Sequence, residues 1–321
     1  MMFEIRTDLA VEEKESFPGR GGEVKGVSLR EWRKACSKIK LTEVAILDEQ
    51  GARAMGKPVG TYVTMEAKAL AKGDEDYHRE VAEELSVQLK TMLKELKKKH
   101  KVPDRKDIHV LVVGLGNPSV TPDSLGPKVL GNLRVNRNMD EGQEDAVLSG
   151  IVPGVMAQTG METAEILKGI IHETEPDMVI AIDALAARSI RRLGTTIQLT
   201  NTGIHPGSGV GNHRHSLTEE SLGLPVLAIG VPTVVGAAAI VHDTIAALGK
   251  TLASHMETQE MGDFLDQLDP DEQYQLICEL LEPEFGALYV TPPDIDQTVK
   301  RLSYTISEGI HMAFFSHFSA S

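Results

Sequence analysis

The spacing of hydrophobic and polar positions changes along this 321-residue chain, and the changes mark its elements. Two early runs, TEVAIL at 42–47 and TYVTMEA at 61–67, are short, β-branched and partly alternating, which predicts strands. From 75 to 100 the residues Val81, Leu85, Leu89, Met92, Leu93 and Leu96 recur at helical spacing, so a long amphipathic helix is expected. Its end, Lys97-Lys-Lys-His-Lys101, carries the cations that suit a helix C-terminus. The run at 108–113 is apolar except for His109, as expected of a strand buried on both faces. Further strands are expected at 146–152, 178–184, 195–199 and 225–231. Helices are expected at 125–133, 233–256 and 294–316. Thr159-Gly-Met-Glu162 has the form of a capping box opening a further helix that runs to about 173. Strands and helices alternate from 107 to 256, which predicts an α/β fold with a mostly parallel sheet and helices on both faces. Residues 257–290 are more acidic and read as an elaboration of that core. Residues 1–35 are polar, with a loop at 18–22, and the stretch 4–12 reads by composition as an exposed, extended segment open to proteolysis.

Bulk properties narrow the function. Net charge is −14 and the sequence pI about 5.3, which argues against direct contact with nucleic acid or an anionic membrane. Aromatic residues are 4%, too few for a platform on which bases stack. The two cysteines, Cys36 and Cys278, fit no disulfide or zinc spacing, as in a reducing cytosol. The N-terminal stretch has no apolar core of a secretory signal, and no run is long enough to span a membrane.

The chain's chemistry gathers around residues 108–126. The apolar strand breaks there into Gly114-Leu-Gly116-Asn117-Pro118, and Asp123 closes the loop. In an open α/β sheet, ligands meet the protein beyond the carboxyl ends of the strands. A dinucleotide fingerprint lacks its third glycine, since Ser119 stands there, and no Gly-Lys-Ser/Thr completes a phosphate loop. Asp183 ends the apolar run Ile180-Ala-Ile-Asp183, a costly place for a carboxylate. It either caps a following helix or shares the crevice with Asp123. Two such carboxylates can divide the tasks of activating water and protonating a leaving group, or they can hold a divalent metal. His205, His213 and His215 are either polar loop residues or a base and metal ligands. Ser208 lies in Gly-Ser-Gly, which is not a nucleophile elbow.

Four motifs together resemble the germination proteases of spore-forming bacteria. They are Arg6-Thr-Asp-Leu-Ala-Val-Glu12, Gly114-Leu-Gly-Asn through Thr121-Pro-Asp-Ser-Leu-Gly-Pro127, Ile182-Asp-Ala-Leu-Ala-Ala-Arg188 and Asn201-Thr-Gly-Ile-His-Pro-Gly-Ser-Gly-Val-Gly-Asn212. The resemblance implies a fold like that of hydrogenase maturation peptidases. It implies an endopeptidase, made as a zymogen, that degrades small acid-soluble spore proteins. Such enzymes assemble as homotetramers in the cytoplasm of the forespore and in the spore core. The family's two essential aspartates fall on Asp123 and Asp183, with Gly114, Gly116, Asn117 and His205 as supporting candidates and no cofactor. Cleavage follows an acidic residue and precedes a hydrophobic residue and Ala. Thr7-Asp8-Leu9-Ala10 imitates that site, so Asp8–Leu9 is the expected self-processing bond. Residues 1–8 are then a pro-segment and 9–321 a single peptidase domain, its core at about 105–256. Other readings are a metal-dependent hydrolase, a protein that holds spore proteins without cutting them, and a peptidyl-tRNA hydrolase. Gly114-Leu-Gly-Asn-Pro118 also opens the last of these, but its later histidine motif is missing.

Overall fold

The computed structural model describes residues 7–16, 24–34, 38–99, 101–104, 107–139, 146–207, 215–253, 270–286 and 288–315. The loop expected at 18–22, Cys36, Ser208 and His213 lie outside them, as do residues 1–6 of the expected pro-segment. In chain order the elements begin with α1 (Ala10–Ser16), β1 (Val27–Arg33), β2 (Lys40–Ile46), α2 (Glu49–Met55), β3 (Gly60–Glu66) and α3 (Glu75–Lys98). The middle of the chain forms β4 (Ile108–Gly114), α4 (Leu125–Asn132), β5 (Ala146–Ile151), α5 (Met156–Thr159), α6 (Thr163–Thr174), β6 (Met178–Ala187) and β7 (Thr196–Thr200). It closes with α7 (Glu219–Leu222), β8 (Val226–Gly236), α8 (Ala237–Ala253), α9 (Pro270–Phe285), β9 (Tyr289–Val290) and α10 (Ile295–Phe314).

The nine strands among the described residues join one open sheet in the order β1-β2-β3-β7-β8-β6-β4-β5, with β9 added beside β8. The core strands β8, β6, β4 and β5 run parallel, as the apolar runs predict. The flank from β1 through β3 and β7 to β8 is antiparallel. Helices cover both faces. On one, α3, α4 and α10 pack over Val110, Val112, Ile180, Ile182, Leu199 and Ile229. On the other, Leu111, Val113, Val179, Ala181 and Ala228 pack with Leu9, Val11 and residues of α6. β1 is an edge strand whose outward positions carry Arg30, Glu31 and Arg33, charges that discourage further strand addition. No helix among the described residues is long and apolar enough to cross a membrane.

Three local expectations are corrected. The box opening α6 is not Thr159 with Glu162. Thr159 ends α5, and the Glu165 carboxylate accepts from the Glu162 N–H instead, one turn later. The helix expected at 233–256 starts only at Ala237, because β8 continues to Gly236 alongside β6 and then β9. The stretch 4–12 is not an exposed extended segment where it is described: Leu9 and Ala10 are fully buried, and α1 begins at Ala10.

The glycines after β4 mark a contact of backbone on backbone. Leu115 N–H donates to the Ile182 carbonyl at 2.8 Å, and Gly126 of α4 sits against the same two residues. A Cβ on Gly126 would lie within 2.5 Å of the Ile182 carbonyl oxygen, and neither backbone can yield. Gly126→Ala is therefore expected to destabilise the chain by about 1–3 kcal/mol or more, the range typical of overpacking. Urea denaturation checks this; an unchanged midpoint would contradict the contact.

Candidate active site

Asp123 is delivered by a single turn, residues 121–123, that packs against β6 and β8. The loop leading to it is held by its own polar groups. Asn117 N–H donates to Asp123 Oδ2 at 2.7 Å, and Asn117 Oδ1 accepts from Ser119 N–H at 3.0 Å and from Gln158 Nε2 at 3.1 Å. Gly116 has φ +109°, a region L side chains avoid, and a Cβ there would strike Asp123. Gly114, with no such φ, is needed for close approach to Gly126. Gly116 and Asn117 thus touch the aspartate they were expected to support, while Gly114 touches Gly126 of α4 and not Asp123.

Asp183 does not cap a helix. β6 runs on to Ala187, and Asp183 is a buried position within it, its Oδ1 accepting from Ala184 N–H at 2.9 Å. The last pair between β4 and β6 is Gly114 with Ile182. Asp183 is thus the first residue of β6 beyond its neighbour, where the loop carrying Asp123 takes the neighbour's place. Asp183 pairs with Gly230 on β8, which pairs with Gln198 on β7. Directly paired residues point to the same face, so Asp183 and Gln198 share the face on which Leu9 packs.

Along the remainder of β6 lies the N-terminal segment. Asp8 N–H donates to the Ala186 carbonyl at 3.1 Å, and Ala186 N–H donates to Asp8 Oδ2 at 2.9 Å. The Asp8 carbonyl accepts from Lys57 Nζ at 3.2 Å and from Gln198 Nε2 at 3.1 Å. Ala10 N–H donates to Gln198 Oε1 at 2.8 Å, and Leu9 N–H to Thr7 Oγ1 at 3.1 Å. Every backbone group on either side of the Asp8–Leu9 bond is therefore engaged. Burial lowers the Lys57 ammonium's pKa, with Asp8, Glu13 and Glu12 opposing. His205 reaches the surface nearby. Partial burial, then the charge of Lys57, holds its pKa below the usual value, with Asp8 opposing.

Glu12 anchors the segment. It is 3% exposed and accepts from Arg188 N–H at 2.8 Å, Ser189 N–H at 3.1 Å and the Thr7 hydroxyl, with Arg192 Nε at 3.2 Å. Burial raises its pKa by more than these donors lower it. Arg192 also meets Glu15 at 2.7 Å and Glu66 at 3.0 Å; burial opposes its charge, but these carboxylates outweigh that and raise its pKa.

His215 stands apart, exposed and 3.7 Å from Glu162, as a polar loop residue would. Among the described residues no group of three or more His, Cys, Asp or Glu side chains is arranged to hold a metal ion. Lys57 and Gln198 have no signal in the sequence, since each acts through a contact with a residue far away in the chain.

A family model described as germination protease matches residues 4–263. A germination protease of Caldanaerobacter subterraneus subsp. tengcongensis is 49% identical over 96% of this chain and 94% of its own length. One from Clostridium tetani is 42% identical, covering 96% and 95%. One from Priestia megaterium is 38% identical, covering 97% and 94%.

The raised pKa of Glu12 predicts a pH dependence. Between the ordinary value of 4.5 and the raised one, the folded chain binds more protons at Glu12 than the unfolded chain does. The stability this confers is complete below 4.5 and is lost as pH rises through the folded value. In Glu12→Gln that dependence is absent. Urea denaturation at a series of pH values should show wild type losing ground to Glu12→Gln from pH 4.5 upward and then levelling; a flat difference would refute it.

Proposed function

The chain belongs to the germination protease family, and we propose on that premise that it is an endopeptidase in which Asp123 and Asp183 together hydrolyse the peptide bond. Family membership makes it a protease of spore germination. The observation that carries the finer reading is the position of Asp8–Leu9. An Asp-Leu-Ala sequence lies on the sheet face of Asp183, three residues further along the strand that carries that aspartate.

The reaction needs one ionised and one protonated carboxyl, a division that two neighbouring carboxyls favour. The ionised carboxylate takes a proton from water as the water oxygen bonds to the carbonyl carbon of the residue before the bond. The carbonyl π pair moves onto its oxygen. When that pair returns, the carbon–nitrogen bond breaks, and the protonated carboxyl supplies a proton to the departing nitrogen. An acidic residue before the bond fits a site where Ala186 N–H donates to the Asp8 carboxylate and where Lys57 and His205 stand close.

On this reading residues 1–8 are a pro-segment removed by self-processing, and residues 9–321 form the peptidase. The family resemblance supports small acid-soluble spore proteins as substrates, a homotetramer as the assembly and the forespore and spore core as the location. The acidic surface suits an enzyme that must reach proteins on DNA without binding DNA itself.

Incubated at mildly acidic pH, the purified chain should acquire a new N-terminus at Leu9, seen by mass spectrometry. Asp123→Asn and Asp183→Asn should each abolish that product while the circular dichroism spectrum stays native. A fully active Asp183→Asn would end the two-aspartate reading. Activity lost on exhaustive chelation and restored by added metal would replace it with metal-dependent hydrolysis.

A further inference from the structure

We propose that Lys57 and Gln198 are the paired hydrogen-bond donors for the carbonyl oxygen of the residue preceding the cleaved bond, first on the chain's own Asp8–Leu9 bond and then on its substrates. This deepens the function proposed above and rests on it.

Two donors from separate elements converge on one oxygen, the Asp8 carbonyl, at 3.2 and 3.1 Å. Neither is free to wander. Lys57 leaves the turn after α2, where Gly56 is left-handed, the Lys57 N–H donates to the Ala52 carbonyl at 3.2 Å, and the Tyr62 hydroxyl donates to the Pro58 carbonyl at 2.9 Å. Gln198 lies on β7, and its amide is oriented at both ends: Nε2 donates to the Asp8 carbonyl while Oε1 accepts from Ala10 N–H. It also stands in the sheet row of Asp183, two strand spacings away, or about 10 Å between backbones.

The chemistry of the pair is mismatched to a merely structural clamp. A partly buried ammonium loses hydration, and a neutral carbonyl returns little of it. The balance changes when the carbonyl carbon is attacked and its oxygen becomes an alkoxide, because fixed donors then stabilise charge that did not exist in the ground state. The titratable groups facing Lys57 are Asp8, Glu12 and Glu13 of the N-terminal segment and His205 of the loop after β7.

The test uses the full chain and measures the first-order rate at which the Leu9 N-terminus forms. Lys57→Met and Gln198→Met should each slow it about 10²–10³-fold, the loss typical of one oxyanion donor. Lys57→Arg should recover part of that rate. Burial lowers the pKa of Lys57, so the wild-type rate should fall at alkaline pH as the ammonium deprotonates. Lys57→Arg should move that fall to higher pH. Hydrogen exchange at the Glu12 and Glu13 amides, both bonded to the Leu9 carbonyl, reports whether the segment remains seated. A slowed rate with protection intact is the expected result. A wild-type rate in Lys57→Met, or a rate lost only together with protection, would overturn the proposal and leave Lys57 a docking residue. A wild type that never yields the Leu9 terminus would end the self-processing reading, and this proposal with it.

Discussion

The site depends on a place where two backbones touch without side chains between them. Leu115 bonds to the Ile182 carbonyl, and Gly126 presses α4 against both. β4 has just ended, so the loop occupies the lane a strand would have filled, and β6 continues past it. That one arrangement makes Asp183 the first residue of the open edge. It also brings the turn of Asp123 over β6. A methyl group on Gly126 would push helix and strand apart. The glycines therefore act through distance. Only Gly116, with φ +109° and Asp123 directly above it, also needs a backbone conformation that other residues avoid.

From Asp183 onward, β6 serves as a ruler for the N-terminal segment. Asp183 supplies a carboxylate, Ala186 grips Asp8, and Arg188 and Ser189, just past the strand, give their N–H groups to Glu12. The buried cluster of Arg192 with Glu12, Glu15 and Glu66 fixes the far end of α1. Glu15 is exposed and adds little, but Arg192 and Glu12 are buried, and removing either strands a buried charge, a loss of about 3–5 kcal/mol. The result is register more than strength. A segment displaced by one residue would leave Glu12 without the N–H groups at the end of β6 and the Asp8 carbonyl without Lys57.

Much of this was legible in the sequence where information is local. Runs such as 108–113 and 178–184 could only be buried strands, and an aspartate ending the second run was conspicuous because burial of a carboxylate is costly. The helix-forming look of Ala184-Leu-Ala-Ala187 concealed the continuation of β6, since pairing with β8 outweighs intrinsic preference there. β1 was missed because an edge strand carrying Arg30, Glu31 and Arg33 lacks the apolar alternation of a half-buried one. α1 was missed because seven residues do not make a helix unaided, and its core contacts lie on β2, α2 and β3, well further along the chain. Lys57 and Gln198 lay beyond reach for the same reason: each has meaning only through the N-terminal segment, at Thr7, Asp8 and Ala10.

The Asp8–Leu9 bond divides the segment into two kinds of attachment. After it come Leu9, Ala10, Val11 and Glu12, all buried, held by packing, by Ala10 N–H on Gln198, and by Glu12 on Arg188, Ser189 and Arg192. Before it, Thr7 and Asp8 are held by hydrogen bonds to Ala186, Lys57, Gln198 and Glu12. Hydrolysis there would leave the packed part with the protein and detach the part that water can solvate instead. It would also place a new ammonium on Leu9, which is fully buried, at the start of α1. A positive charge at a helix N-terminus opposes the helix dipole, and burying it without adequate partners is costlier still. The new carboxylate on Asp8, by contrast, would meet Lys57. The strain of cleavage would therefore fall on the first turn of α1, which must reach water to solvate its new terminus. If the Asp8–Leu9 bond is cut, the chemistry of the cut itself would thus give the N-terminal segment a reason to leave the sheet.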